Sequence, residues 1–116
     1  MQRFSNHLFG VTQGHVNLFA DYLTDGDMWT GSNERERRQR VLFDEPFRSP
    51  PVVQVSISLW DVDTEPALRA ELYADDIDAE GFDVVFRTWS DSRIARINVA
   101  WTAMGELPHE DDWELY

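Results

Sequence analysis

The sequence predicts a single all-β domain, built as an antiparallel sandwich or barrel. Three observations carry that reading. Six stretches have the alternation or composition of strands. They recur at regular spacing with polar connectors between them. No crossover helix of the kind a parallel sheet needs is visible between any two. At 116 residues the chain has no room for a second sizeable core.

The first stretch is His15 to Tyr22, where Val16, Leu18, Ala20 and Tyr22 alternate with Asn17, Phe19 and Asp21. The second is Gln39 to Asp44. The third, Val52 to Trp60, has the clearest period of two: Val53, Val55, Ile57 and Leu59 face one way, Gln54, Ser56 and Ser58 the other. The fourth is Leu68 to Ala74, the fifth Phe82 to Trp89, and the sixth Ile94 to Met104. Pro46, Pro50 and Pro51 interrupt the chain before the third strand, because proline cannot donate to a sheet ladder. DVDTEP (Asp61–Pro66) and DDIDAEG (Asp75–Gly81) read as polar connectors.

The chain carries 22 acidic and 10 basic residues, a net charge of -12. Phosphate would be repelled, which excludes nucleic acid as the main partner and leaves neutral sugars open. There is no cysteine, so disulfide and thiolate chemistry are excluded. A zinc site would rest on carboxylates and on His7, His15 and His109, which lie far apart in sequence. The N-terminus lacks the apolar run of a signal peptide, and no stretch is long and apolar enough to cross a bilayer. The expectation is a protein made in a cytoplasm without membrane insertion; display outside the cell or on a particle would need another export route.

Enzyme signals are absent together: no G-x-S-x-G, no H-E-x-x-H, no phosphate-binding or dinucleotide glycine motif. The acids of the connectors sit in solvated turns, without the pKa contrast that a glycosidase pair needs. DVDTE lacks the glycine and distant glutamate of an EF-hand loop. The expectation is a noncatalytic protein with no metal and no cofactor. NERERRQR (Asn33–Arg40) carries Arg35, Arg37, Arg38 and Arg40; it reads as a solvated loop running into a strand, with an anion site as the alternative.

FRTWSDSRIARINVAW (Phe86–Trp101) raises the functional question. Trp89 stands at the mouth of a turn that needs only polar residues. A sugar offers a face of C–H groups and an edge of hydroxyls, so a flat ring with fixed donors and acceptors suits it. Ser90, Asp91 and Ser92 could supply polar partners, and a neighbouring arginine a donor fork. The alternative is that Trp89 closes the end of the core.

VLFDEPFRSPPVVQVSISLWDVD (Val41–Asp63) and ALRAELYADDIDAEGFDVVFRTWSDSRIARINVAWTAMG (Ala67–Gly105) resemble the H-type lectin domain, known from a snail agglutinin and from the C-terminal domain of slime-mould discoidins. The resemblance is to a bacterial- or phage-like member. It covers about Gly14 to Gly105, and divides the chain into an N-terminal segment (1–13), the lectin-like domain (14–105) and an acidic tail (106–116). It implies a six-stranded antiparallel β-sandwich, assembled as a homotrimer, that binds galactose or N-acetylgalactosamine-type cell-surface glycans without chemistry. The family's sugar-binding arginine falls on Arg69 and its stacking tryptophan on Trp89. The residue after that tryptophan falls on Ser90. An acidic residue of the early loop falls at Ser32, with Gly31 and Asn33 as neighbouring candidates. The chain departs from the snail-type site in having Ser90 for a histidine, Ala95 for a tyrosine and no early aspartate. Without cysteines, the implied trimer is noncovalent. Arg93 and Arg96 could pair across it with acids of the next chain, or stand as exposed charges.

The tail GELPHEDDWELY (Gly105–Tyr116) reads either as solvated, or as a docking segment in which Trp113 and Tyr116 anchor a basic protein partner. Two function classes follow: a carbohydrate-binding module, or a structural adaptor, such as a spike or fibre component of a phage-like or secreted particle, that uses the lectin fold for assembly.

Overall fold

The computed structural model describes residues 1–5 and 8–109. It is a six-stranded antiparallel β-sandwich. Strands β1 (Phe9–Phe19), β6 (Ile94–Glu106) and β3 (Val52–Val62) form one sheet in the order β1-β6-β3. Strands β2 (Arg35–Leu42), β5 (Gly81–Thr88) and β4 (Ala70–Asp75) form the other in the order β2-β5-β4. The central strands carry the core. Ile97, Val99, Trp101 and Ala103 of β6 face Phe82, Val84 and Phe86 of β5. One end is closed by an aromatic cluster: the Phe82 ring lies 5.4 Å from Trp101 and 5.8 Å from Phe43, which packs on Phe47 at 5.0 Å.

Sequence alternation locates all six strands but misplaces some of their boundaries and faces. The first strand starts at Phe9 rather than His15, so residues 9–13 of the N-terminal segment lie in the sheet, paired with β6 from Glu106 to Thr102. Gly10 and Gly14 hide this half from a propensity reading. Gly14 is required by close approach: a Cβ there would sit 2.7 Å from the Trp101 ring. Tyr22 leaves the strand altogether, into a 3-10 turn over Asp21–Leu23. In β3 the phase is broken by a bulge at Ser58: Ile57 pairs with Val99, but Leu59 pairs with Asn98 and Trp60 with Ile97. Directly opposed residues share a face, so the extra residue throws Leu59 to the outer face and turns Trp60 toward Phe86, ring centroids 6.5 Å apart.

The arginine cluster is not a loop and not an anion site. It is β2, an edge strand whose charges are consumed internally. Arg37 binds Asp21 at 2.8 Å and Asp27 at 2.6 Å. On the outer face Arg38 binds Asp83 at 2.8 Å and Asp75 at 2.9 Å, and Arg40 binds Asp78 at 2.6 Å. The tail residues Trp113 and Tyr116 lie outside the described residues, as does His7.

Phe82 is fully buried between Phe43 and Trp101. Phe82→Ala is expected to cost about 3–5 kcal/mol, read as a lower urea midpoint with an unchanged slope. Asp83 gives a pH prediction. Its hydrogen bonds from Arg38, and then from Arg40, hold its carboxyl below the usual carboxylate range. A depressed folded pKa stabilises fully above the unfolded value of about 3.9 and is lost as the pH falls through the folded value. Asp83→Asn should therefore flatten the fall in stability below about pH 4, measured by urea unfolding across the acid range.

Candidate functional site

The end of the sandwich where β5 stops brings three chain segments together. They are the one-turn helix α1 (Asp27–Thr30) with the residues after it, the β3–β4 connector, and the β5–β6 turn. The β2–β5 register pairs Arg35 with Thr88. It continues past the strands, because the Asn33 N–H donates to the Ser90 carbonyl at 2.7 Å. Glu34 therefore stands opposite Trp89. On the other side Ala70 pairs with Thr88, so Arg69 is the next residue along the ladder and also faces Trp89. One aromatic side chain at a strand end is thus flanked by an acid on one neighbouring strand and a cation on the other, all three at outward-facing ladder positions.

Trp89 is 37% exposed. Its ring neither closes the core nor carries a stacked ring or cation among the described residues. Arg69 is exposed, and its guanidinium has no ion pair and no hydrogen bond there. Its backbone is fixed instead. The Arg69 N–H donates to Ser92 Oγ at 2.9 Å, Ser92 Oγ donates to the Ala67 carbonyl at 2.9 Å, and Thr88 Oγ1 donates to the Arg69 carbonyl at 2.6 Å. Ser92 is fully buried in this role and offers no group to a ligand, against the sequence reading. Asp91 accepts from Ser90 Oγ at 3.5 Å, and from no backbone amide among the described residues.

Gly31, Ser32 and Asn33 border the same turn. Gly31 caps α1 with its N–H on the Asp27 carbonyl at 2.8 Å; a Cβ would lie 2.5 Å from that oxygen, so only glycine fits. Asn33 (φ 64°) and Ser90 (φ 63°) face each other across their hydrogen bond, both in the left-handed region. Asparagine tolerates that conformation; serine does so at a cost. Ala95, where the lectin tyrosine falls, is buried in β6.

Two arginines of the β5–β6 hairpin find acids within the chain. Arg93 binds Asp63 at 2.8 Å and lies over the Trp29 ring at 4.1 Å, and Arg96 binds Asp61 at 3.1 Å. Both are partnered within the chain, and both side chains remain 43% exposed. Sequence reasoning missed two residues. Glu34 is highly exposed and binds Arg87, whose guanidinium also holds Glu71; these carboxylates raise the Arg87 pKa. Arg35 is only 5% exposed. Its Nε donates to the Asn33 carbonyl at 3.1 Å, Nη1 to Asp27 and Met28 at 3.1 and 3.2 Å, and Nη2 to Ser90 and Ser92 at 3.3 and 2.9 Å. Burial lowers its pKa, with the Asp27 charge opposing. The period of two in NERERRQR, with Glu34 and Glu36 outward and Arg35 and Arg37 inward, is the signal that could have found both.

Among the described residues no three histidine or carboxylate side chains converge to hold a metal ion, and no helix is long and apolar enough to cross a membrane. Ser90→Gly is expected to stabilise the protein by about 1 kcal/mol by relieving the left-handed serine, read as a raised urea midpoint.

Residues 38–104 match the family model described as the H-type lectin domain. The chain is 44% identical over 106 residues to a Fuscovulum blasticum protein called "ATP synthase subunits region ORF 7", covering 91% of this chain and 92% of that one. Two structures of discoidin II from Dictyostelium discoideum superpose with TM-scores of 0.76 and 0.75, each at 23% identity. They cover 91% and 94% of this chain, which spans about two fifths of the discoidin II chain (39% and 41%) and shares its fold. By the family match and its register of strands, this chain is a member of the H-type lectin domain family.

Proposed function

We propose that the protein is a noncatalytic lectin that binds galactose or N-acetylgalactosamine-type glycans as a homotrimer. The observation that carries the reading is the row Arg69–Trp89–Glu34. The ring offers a stacking face, the guanidinium, which has no partner among the described residues, a donor fork to adjacent hydroxyls, and the carboxylate an acceptor. Glu34 takes the part of the early aspartate that the alignment leaves at Ser32. Ser90 and the Gly31–Asn33 segment form the rim.

The outer face of the β1-β6-β3 sheet supports self-association. Val11, Met104 and Val52 share one row across it, Gln13, Thr102 and Gln54 the next, and His15, Ala100 and Ser56 the next. Charged residues are 28% of the sequence, yet these rows hold no carboxylate and no arginine. Such a face suits a second copy of the same chain. Single sugar sites are weak, with a Kd of about 1 mM corresponding to only about 4 kcal/mol. Three on one particle would gain by avidity, by a factor of about 100 or more.

The adaptor role is the second reading. A groove of about 400 Å³ at the opposite end of the sandwich favours it. Apolar Leu8, Pro46, Leu107 and Pro108 and acidic Asp44 and Glu45 line the groove, which suits a cationic, apolar protein segment. A glycan array decides between the readings. Arg69→Ala and Trp89→Ala should each weaken glycan binding about tenfold or more with the oligomer intact, as read by array titration and sedimentation. No binding by the folded wild-type oligomer favours the adaptor; unchanged binding by Trp89→Ala removes that ring from the site.

A further inference from the structure

We propose that Arg35 is the positioning residue of the sugar site: it locks the segment carrying Asn33 and Glu34 to the turn carrying Trp89 and Ser90 before any ligand arrives. The inference rests on the lectin reading above. A guanidinium has five N–H donors in a rigid plane. In Arg35 the donors and acceptors match one to one: one bond from Nε, two from Nη1 and two from Nη2. Every acceptor is a backbone carbonyl, and none is a carboxylate.

Those carbonyls belong to both halves of the site. Asp27 and Met28 are in α1; the Asp27 carbonyl, which already accepts the Gly31 N–H that caps the helix, accepts Arg35 Nη1 as well. Asn33 precedes Glu34 directly. Ser90 and Ser92 belong to the turn that follows Trp89. The Ser90 carbonyl receives both Arg35 Nη2 and the Asn33 N–H, so the two halves meet at one oxygen. Arg35 itself is buried and out of a ligand's reach. It acts by fixing the separation between Glu34 and Trp89, which a sugar must bridge. Lysine could not substitute. It has three donors on one atom and cannot span the same set of carbonyls.

The test uses the full chain and N-acetylgalactosamine and galactose displayed on a surface. Arg35→Lys and Arg35→Met are compared with wild type well below their unfolding temperatures. Phe82→Ala serves as a destabilised control remote from the site. The expected result is that Arg35→Lys binds about tenfold more weakly or worse, Arg35→Met weaker still, and the control within about twofold of wild type. Amide exchange on wild type needs no variant: the Asn33 N–H should be equally protected with and without sugar. A folded Arg35→Lys that binds as wild type does overturns the proposal. So does an Asn33 amide that becomes protected only when sugar binds. Failure of the wild type to bind any array glycan, with Asn33 protected, overturns the lectin reading itself, a result distinct from both.

Discussion

Five backbone carbonyls surround the Arg35 guanidinium, three from residues just before it in the chain and two from the distant β5–β6 turn. A buried charge is costly unless its surroundings replace the water it has lost. Carboxylates usually do this. Here peptide dipoles do it, and the consequence is geometric. A carboxylate on a flexible side chain can follow a moving partner, whereas a backbone carbonyl moves only with its segment. Losing one carbonyl leaves a buried donor unsatisfied, at about 1–3 kcal/mol. The one-turn helix, the Asn33 segment and the β5–β6 turn are therefore held as one body, and the left-handed Ser90 can persist within it.

The distribution of the other arginines follows from the same bookkeeping of donors. All ten basic residues of the chain are arginines. Arg38, Arg40 and Arg87 bridge carboxylates on the outer face of the β2-β5-β4 sheet, and Arg37 ties the sheet edge to Asp21 and Asp27. Exposed pairs of this kind contribute little stability individually. Their effect is to place cations among 22 acids, so that adjoining strands are not driven apart by like charge. Against that background Arg69 stands out. It sits beside an open tryptophan with acids elsewhere on the same face, yet its guanidinium binds none of the described residues. The surrounding negative potential disfavours anionic ligands and does not penalise a neutral one.

Much of the fold was legible because strand alternation is a local property. The six strands and their antiparallel arrangement follow from it. The errors arise where tertiary contacts override the local signal. The first half of β1 contains two glycines, which read as breaks; one is demanded by the Trp101 ring. The bulge at Ser58 reverses the faces of Leu59 and Trp60 without leaving a mark in the sequence. NERERRQR looks solvated because every residue is polar, and nothing local says that its acids and arginines belong to opposite faces. Trp89 was visible as a large ring at a polar turn, and Arg69 came from family resemblance. Glu34 came from neither, because its position opposite Trp89 is a matter of cross-strand register, and register is set by the pairing partner.

The site's location at strand ends has a thermodynamic meaning. A binding loop must be ordered when its ligand arrives, and that ordering subtracts from affinity. Sugars provide little apolar area to offset such a cost. Here Glu34, Trp89 and Arg69 occupy successive positions across one ladder, so their spacing is that of neighbouring strands, about 5 Å per step. The Asn33 N–H on the Ser90 carbonyl and the Arg69 N–H on Ser92 Oγ fix both flanks. The side chains still have rotamers to lose, but the backbone has none. On the proposed reading, a monosaccharide stacked on Trp89 reaches an acceptor on one side and a donor fork on the other without any rearrangement of the chain. Its affinity would then depend on the three side chains, and its specificity on the fixed distance between the outer two.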